Sequence, residues 1–127
     1  LIQSARKVNL DKAMWVAERV IEEHLLFKDK FTREPTVGIM GLAYKPNIDD
    51  LRQSPAIFIA LKLIERGLKI NTCEPHIKNN ENFDILSIND IVEKSDILVF
   101  LVAHNQFRDI QIKPNQICLN YCGLIFN

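Results

Sequence analysis

The run Asp96-Ile97-Leu98-Val99-Phe100-Leu101-Val102 constrains this chain more than any other segment. It is nearly all apolar, rich in β-branched and aromatic residues, and too short for a buried helix. A strand exposed on one face would alternate apolar and polar residues. One apolar on both faces needs cover on both sides, as a central strand of a parallel sheet does.

The remaining pattern agrees. Further strands are predicted at Thr36–Met40, Leu68–Cys73 and Gln116–Tyr121, with a short candidate at Phe83–Leu86. Residues 2–28 read as one long helix, with Ala13, Val16, Ala17, Val20 and Ile21 at three- and four-residue steps and Met14, Trp15 and Leu25 widening the face. That helix either packs on its own domain or is buried between domains or subunits. Lys28 to Glu34, closed by Pro35, reads as a linker. Ser54-Pro55 marks a helix start, with Ile57, Ala60, Leu61 and Ile64 on one face and a stop near Gly67. Ile88–Lys94 reads as a short helix capped by Ser87 or Asn89. Strands alternating with helices predict an α/β fold: a Rossmann-like parallel sheet flanked by helices, with right-handed crossovers, preceded by the long N-terminal helix. The expected division is 1–34 and 35–127.

Composition limits the function classes. The 16 basic and 16 acidic residues cancel, so no global field points to nucleic acid or an anionic membrane. The longest apolar run, Ile97 to Ala103, falls far short of the ~20 residues of a membrane span. No signal peptide is visible, and the expected compartment is the cytoplasm. Opening on Leu1 inside a helical pattern, the chain reads as a piece of a longer protein. Cys73, Cys118 and Cys122 are odd in number and lack metal-ligand spacing, so free thiols and no metal site are expected.

Ligands of such a sheet bind beyond the carboxyl ends of the strands. Four segments should converge there: loop 42–54, Glu74-Pro75-His76, Ala103 to Phe107, and Tyr121 to Gly123. The first sits where a dinucleotide loop would, but Gly38 and Gly41 lack the G-x-G-x-x-G spacing, and Ala43 and Tyr44 would block a pyrophosphate. Glu74 stands where a ribose-binding acid would, a weak signal alone. Lys45 and Arg52, with Asp49 and Asp50 between them and the helix start at Ser54, either suit an anionic ligand such as a diphosphate or form a solvated charged loop. His104 either meets a ligand or caps its strand through a backbone bond. His24 and His76 read as surface groups. Cys122 lies in the right region for a nucleophile but has no recognisable base, so an inert thiol is expected.

The segment VGIMGLAYKPNIDDLRQSPA resembles the motif opening the C-terminal domain of the UDP-glucose/GDP-mannose dehydrogenase family: a strand, Gly-Leu-aromatic-Lys-Pro, an acidic pair, then Arg-x-Ser-Pro. Ser4-Ala5-Arg6-Lys7-Val8-Asn9 is similar to the end of the family's central helix region. Cys73-Glu74-Pro75-His76-Ile77 and Leu101 to Phe107 look most like the branch acting on UDP-N-acetyl-D-mannosamine. The resemblance implies oxidation of a nucleotide sugar at C6 to the carboxylate, with NAD held mainly by an N-terminal domain outside this chain. It also implies a homodimer through the N-terminal helix and a thioester-forming cysteine upstream of Leu1, so no catalytic residue is expected here. It assigns Tyr44 and Lys45 to the UDP-sugar, with His104 as a further substrate contact, and Arg52 to NAD. Where the family usually has Asp, a small residue and then Lys or Arg before Gly, this chain has Asn120-Tyr121-Cys122-Gly123 and no cation.

Overall fold

In the computed structural model, the backbone of residues 2–47, 51, 54–77 and 80–127 is described, with side chains from Leu10 onward. Asp49, Asp50 and Arg52 lie outside the described residues.

Four short parallel strands form the sheet, in the order β2-β1-β3-β4. They are β1 (Val37–Met40), β2 (Ile70–Cys73), β3 (Ile97–Phe100) and β4 (Ile117–Asn120). Val37 of β1 sits opposite Ile70 on one side and Ile97 on the other, and Ile97 faces Ile117. Helix α1 (Ile2–Phe31) precedes the sheet, α2 (Pro55–Glu65) links β1 to β2, and α3 (Ile88–Lys94) links β2 to β3.

All of β1 and β3 is buried, as the apolar run in β3 requires. Alternate residues serve opposite faces. Val37, Ile39, Ile97 and Val99 pack with Ala13, Val16, Ala17 and Val20 of α1 and Ile59, Ala60 and Leu63 of α2. On the other face Met40, Leu98 and Phe100 pack with Ile91 of α3 and with Phe107. Each large apolar side chain buried this way contributes about 1.5–3 kcal/mol.

Local chemistry sets the helix ends. The Ser54 hydroxyl accepts from the Ala56 N–H, and Pro55 opens α2. Gly67 closes α2 at φ +84°, donating its N–H to the Ile64 carbonyl. Ser87 rather than Asn89 caps α3, accepting from the Asp90 N–H.

Several expectations change. Helix α1 continues to Phe31, through the first residues of the expected linker. The strand expected at Phe83–Leu86 reduces to one bridge, Thr72 to Ile85. The strand at 96–102 narrows to Ile97–Phe100 because Asp96 spends its carboxylate on Arg33 and the Thr36 N–H, while the Leu101 and Val102 N–H groups both turn to the Met40 carbonyl. His24 is no surface group: it is 6% exposed, on the face of α1 that packs inward. Its Nε2 is buried with no partner among the described residues, and burial lowers its pKa. Trp15 and Leu25, by contrast, are more than half exposed and do not widen the buried face. No described helix is long and apolar enough to cross a membrane.

Candidate functional site at the carboxyl edge of the sheet

Strand β1 ends in Gly41 at φ +101°, where a Cβ would lie 2.6 Å from the Val102 Cβ. Only glycine turns the chain so close to the end of β3. The next two N–H groups, of Leu42 and Ala43, point at the end of β2 and donate to Glu74 Oε1 at 3.0 and 2.9 Å. The His76 N–H donates to Glu74 Oε2 at 3.1 Å.

His104, just beyond β3, is fully buried 2.8 Å from Glu74 Oε1 through Nε2. Its Nδ1 accepts from the Asn47 N–H at 2.8 Å. A backbone donor at Nδ1 places the neutral ring's proton on Nε2, which donates to Glu74. Asn47 adopts φ +62°, a left-handed conformation asparagine tolerates, and its Oδ1 accepts from the Asn105 N–H. One chain of hydrogen bonds thus ties together the ends of β1, β2 and β3.

Burial pushes the Glu74 carboxyl up, but the hydrogen bond from His104 and those from Leu42 and His76 outweigh it and hold the group below the ordinary glutamate value. Both Glu74 and His104 are therefore committed internally. Glu74 is no ribose acid, and His104 has no ring nitrogen left for a ligand.

On the other side of loop 41–47, Ala43, Tyr44, Pro46, Pro55, Ala56, Leu101, Val102, Ala103 and Cys122 line a cavity of about 220 Å³. Tyr44 is 44% exposed at its lip, and Lys45 Nζ lies 5.8 Å from the Tyr44 ring centroid. The Ser54 hydroxyl donates to the Ala43 carbonyl, which holds the start of α2 against the same loop. Three of the four expected segments meet at this cavity, and the fourth, Glu74-Pro75-His76, lies on the other side of the loop. Cys122 stands on the cavity wall where the resembled family usually has a cation, and burial raises its thiol pKa. Asn120 takes a structural part: its Oδ1 accepts from the Leu124 N–H and its Nδ2 donates to the Leu124 carbonyl.

A larger cavity of about 850 Å³ opens on the α3 face among Cys73, Leu86, Val92 and Ile110. Apart from Glu74, which faces both it and the β1 loop, it contains none of the residues singled out as ligand contacts. The smaller cavity is the better candidate, because it holds Tyr44 at the carboxyl ends of β1 and β3, where a sheet of this kind binds its ligand.

Glu74, His76 and His104 bring potential metal-ligand atoms within 4.8 Å of one another, alone in this among the described residues. The proton on His104 Nε2 points into that space, so the geometry is that of a hydrogen-bonded chain. The fit to a dinucleotide is also poor. The amides after β1 that would cradle a pyrophosphate already serve Glu74.

Sequence reasoning missed Asn47, whose signal was the left-handed tendency of asparagine, and underrated Glu74, whose partner His104 is 30 residues away.

Residues 38–120 match the model of the UDP-glucose/GDP-mannose dehydrogenase family, UDP binding domain. An NDP-N-acetyl-D-galactosaminuronic acid dehydrogenase of Ralstonia solanacearum is 38% identical over 115 residues, 87% of this chain and 26% of that protein. The UDP-N-acetyl-D-mannosamine dehydrogenase of Escherichia coli K12 is 38% identical over 120 residues, 87% of this chain and 28% of that protein. The native structure of the Staphylococcus aureus UDP-N-acetyl-mannosamine dehydrogenase superposes with TM-score 0.73 at 19% identity, over 96% of this chain and 33% of that one. This chain spans about a quarter of the length of the curated relatives it matches.

Proposed function

The chain belongs to the UDP-glucose/GDP-mannose dehydrogenase family, as its UDP-binding domain, and from that premise we propose that it binds the nucleotide sugar of a UDP-N-acetyl-D-mannosamine dehydrogenase. Residues 35–127 would form the UDP-sugar unit and 1–34 the end of a dimerisation helix. The observation that carries this reading is the cavity at the strand ends, with Tyr44 at its lip and Lys45 beside it, inside the matched segment. An aromatic face and a neighbouring ammonium suit a sugar or base and a diphosphate.

Tyr44 and Lys45 are proposed as the substrate contacts, and Arg52 as the residue reaching toward NAD. His104 is proposed to serve the substrate from behind, by holding Asn47 and Glu74, since its own nitrogens are engaged. NAD itself would be bound mainly by parts of the longer protein outside this chain. The product would be the corresponding uronic acid, made in the cytoplasm for surface polysaccharide. On α1, Leu10, Trp15, Leu25 and Leu26 are exposed, and a second copy of the chain is proposed to cover them.

A second reading has support of its own: the Ralstonia relative, at equal identity, is named for an N-acetylgalactosaminuronic acid. Both names describe a 2-acetamido sugar. Calorimetric titration of the chain with UDP-N-acetyl-D-mannosamine, UDP-N-acetyl-D-galactosamine and UDP-glucose tests the reading. Binding of a 2-acetamido nucleotide sugar in preference to UDP-glucose is expected, with no NADH formed by this chain alone. Absence of binding to all three would overturn it.

A further inference from the structure

In a doubly wound sheet, the amides that follow the first strand normally receive a ligand phosphate, helped by the start of the next helix. Here the two are separated. The first free amides belong to Leu42 and Ala43, while α2 starts only at Pro55. Both amides donate to one buried carboxylate, Glu74 Oε1. His104 Nε2 and the His76 N–H also donate to that carboxylate, so four donors converge on it. A carboxylate offers about four lone-pair sites. Glu74 is 2% exposed, so no solvent competes for them. Adjacent backbone N–H groups aimed at one point form an anion-binding concavity. Glu74 supplies the anion from within the chain.

We propose that Glu74 is a positioning residue of the nucleotide-sugar site: its carboxylate fills the amide nest at the end of β1, in place of a ligand phosphate, and so directs the diphosphate to the Tyr44 side of loop 41–47. This rests on the proposed nucleotide-sugar function. The direction follows from the two sides of the loop. One side is taken up by Glu74 and His104, both buried, which already hold the loop's amides, with the α3-face cavity beyond Glu74. The other is the cavity between Ala43, Tyr44, Pro55 and Cys122. The loop's course is fixed by bonds on both sides: Leu42 and Ala43 to Glu74, Asn47 to His104, and Ser54 to the Ala43 carbonyl. Removing the carboxylate frees the amides and leaves a pocket of carboxylate shape with a histidine donor in it. A small carboxylic acid anion has the right size and charge to refill that pocket.

The test is chemical rescue in Glu74→Ala, followed by amide NMR and calorimetry. Acetate is expected to shift the Leu42 and Ala43 amide signals of Glu74→Ala and leave those of the unsubstituted chain in place. Affinity for UDP-N-acetyl-D-mannosamine is expected to fall about tenfold in Glu74→Ala, through loss of the charge-assisted network that holds the loop, and to recover when acetate is present. A purely structural role would lower the melting temperature and show no acetate effect at these amides, and that outcome overturns the proposal. Should Glu74→Ala not fold, the unsubstituted chain decides. Its Leu42 and Ala43 amide shifts must follow the titration of the Glu74 carboxyl carbon, and independence of the two overturns the proposal. Failure of the unsubstituted chain to bind any UDP-sugar would instead remove the proposed function, while the acetate response still reports whether Glu74 fills the nest.

Discussion

Replacing Gly41 by alanine tests how tightly β1 delivers the site loop. Two costs add. A residue with a Cβ at φ +101° is strained by at least the ~1–2 kcal/mol of a left-handed residue. The new Cβ would also stand 2.6 Å from Val102 Cβ, 2.9 Å from its Cγ2 and 3.0 Å from its N. Two of those atoms belong to or adjoin the backbone and cannot rotate away, so overpacking adds about 1–3 kcal/mol. The total is about 2–5 kcal/mol. With an unfolding entropy of about 2.1 cal/mol/K per residue, a chain of 127 residues loses about 4 °C in Tm per kcal/mol, or roughly 8–20 °C here. Gly67→Ala is the control. It has φ +84° and nothing within 4 Å of its would-be Cβ, so only the strain applies and about 4–8 °C is expected. The loss of unfolded-chain freedom on going from glycine to alanine is common to both and cancels in the difference. Thermal unfolding followed by circular dichroism reads both values. Equal losses in the two variants would show that the approach to Val102 contributes nothing, and the packing argument would fail. Adding Val102→Ala should not rescue Gly41→Ala, because Val102 Cβ and N remain in place.

His24→Leu should remove a pH dependence. The native pKa of His24 is lowered, so the unfolded chain holds the extra proton, and stability falls as pH drops below the ordinary 6.5; urea unfolding across that range should show a smaller slope in the variant. Arg33→Gln should act in a more acid window. Asp96 is held below its ordinary 3.8, first by the Arg33 hydrogen bond, so its contribution is present above 3.8 and is lost as pH falls through its native value; the variant should be less stable near neutrality and vary less below pH 3.8. Lys45→Ala should weaken UDP-sugar binding by about 1.5–3 kcal/mol by calorimetry, the usual worth of a hydrogen bond to a charged group. In a full-length dehydrogenase of the proposed kind, Arg52→Ala should raise the KM for NAD and leave that for the UDP-sugar unchanged, and steady-state kinetics with each varied in turn would show the reverse if the loop serves substrate alone.

Features with local causes were legible in the sequence. The buried β3 run, the Ser54-Pro55 helix start, the Gly67 stop and the parallel pairing of the strands all follow from residue type and near spacing. So does the convergence of four loops on one sheet edge. His24 shows how residue type can mislead. Ala13, Ala17, Val20, His24 and Phe27 recur at steps of four and three, and all are buried. Position placed His24 on the inner stripe, and its polar ring argued for the surface; the helix geometry prevailed. The Glu74–His104 bond was illegible for a different reason. It joins residues 30 apart whose only meeting point is the edge of the assembled sheet. Phe83–Leu86 has strand-forming side chains, but with only Ile85 bridging to Thr72 the ladder does not propagate.

The hydrogen bond from the Ser54 hydroxyl to the Ala43 carbonyl joins positions 11 apart. The chain thus leaves β1 and enters α2 at one clasped point, while Asn47 pins the first part of the loop to His104 and Asn105. Lengthening such an excursion is cheap, since doubling a loop costs only about 0.6 kcal/mol in closure entropy. An insertion beyond Asn47 leaves both the clasp and the Asn47 bonds in place, so the loop can be lengthened there and its ligand choice changed at little cost to the fold.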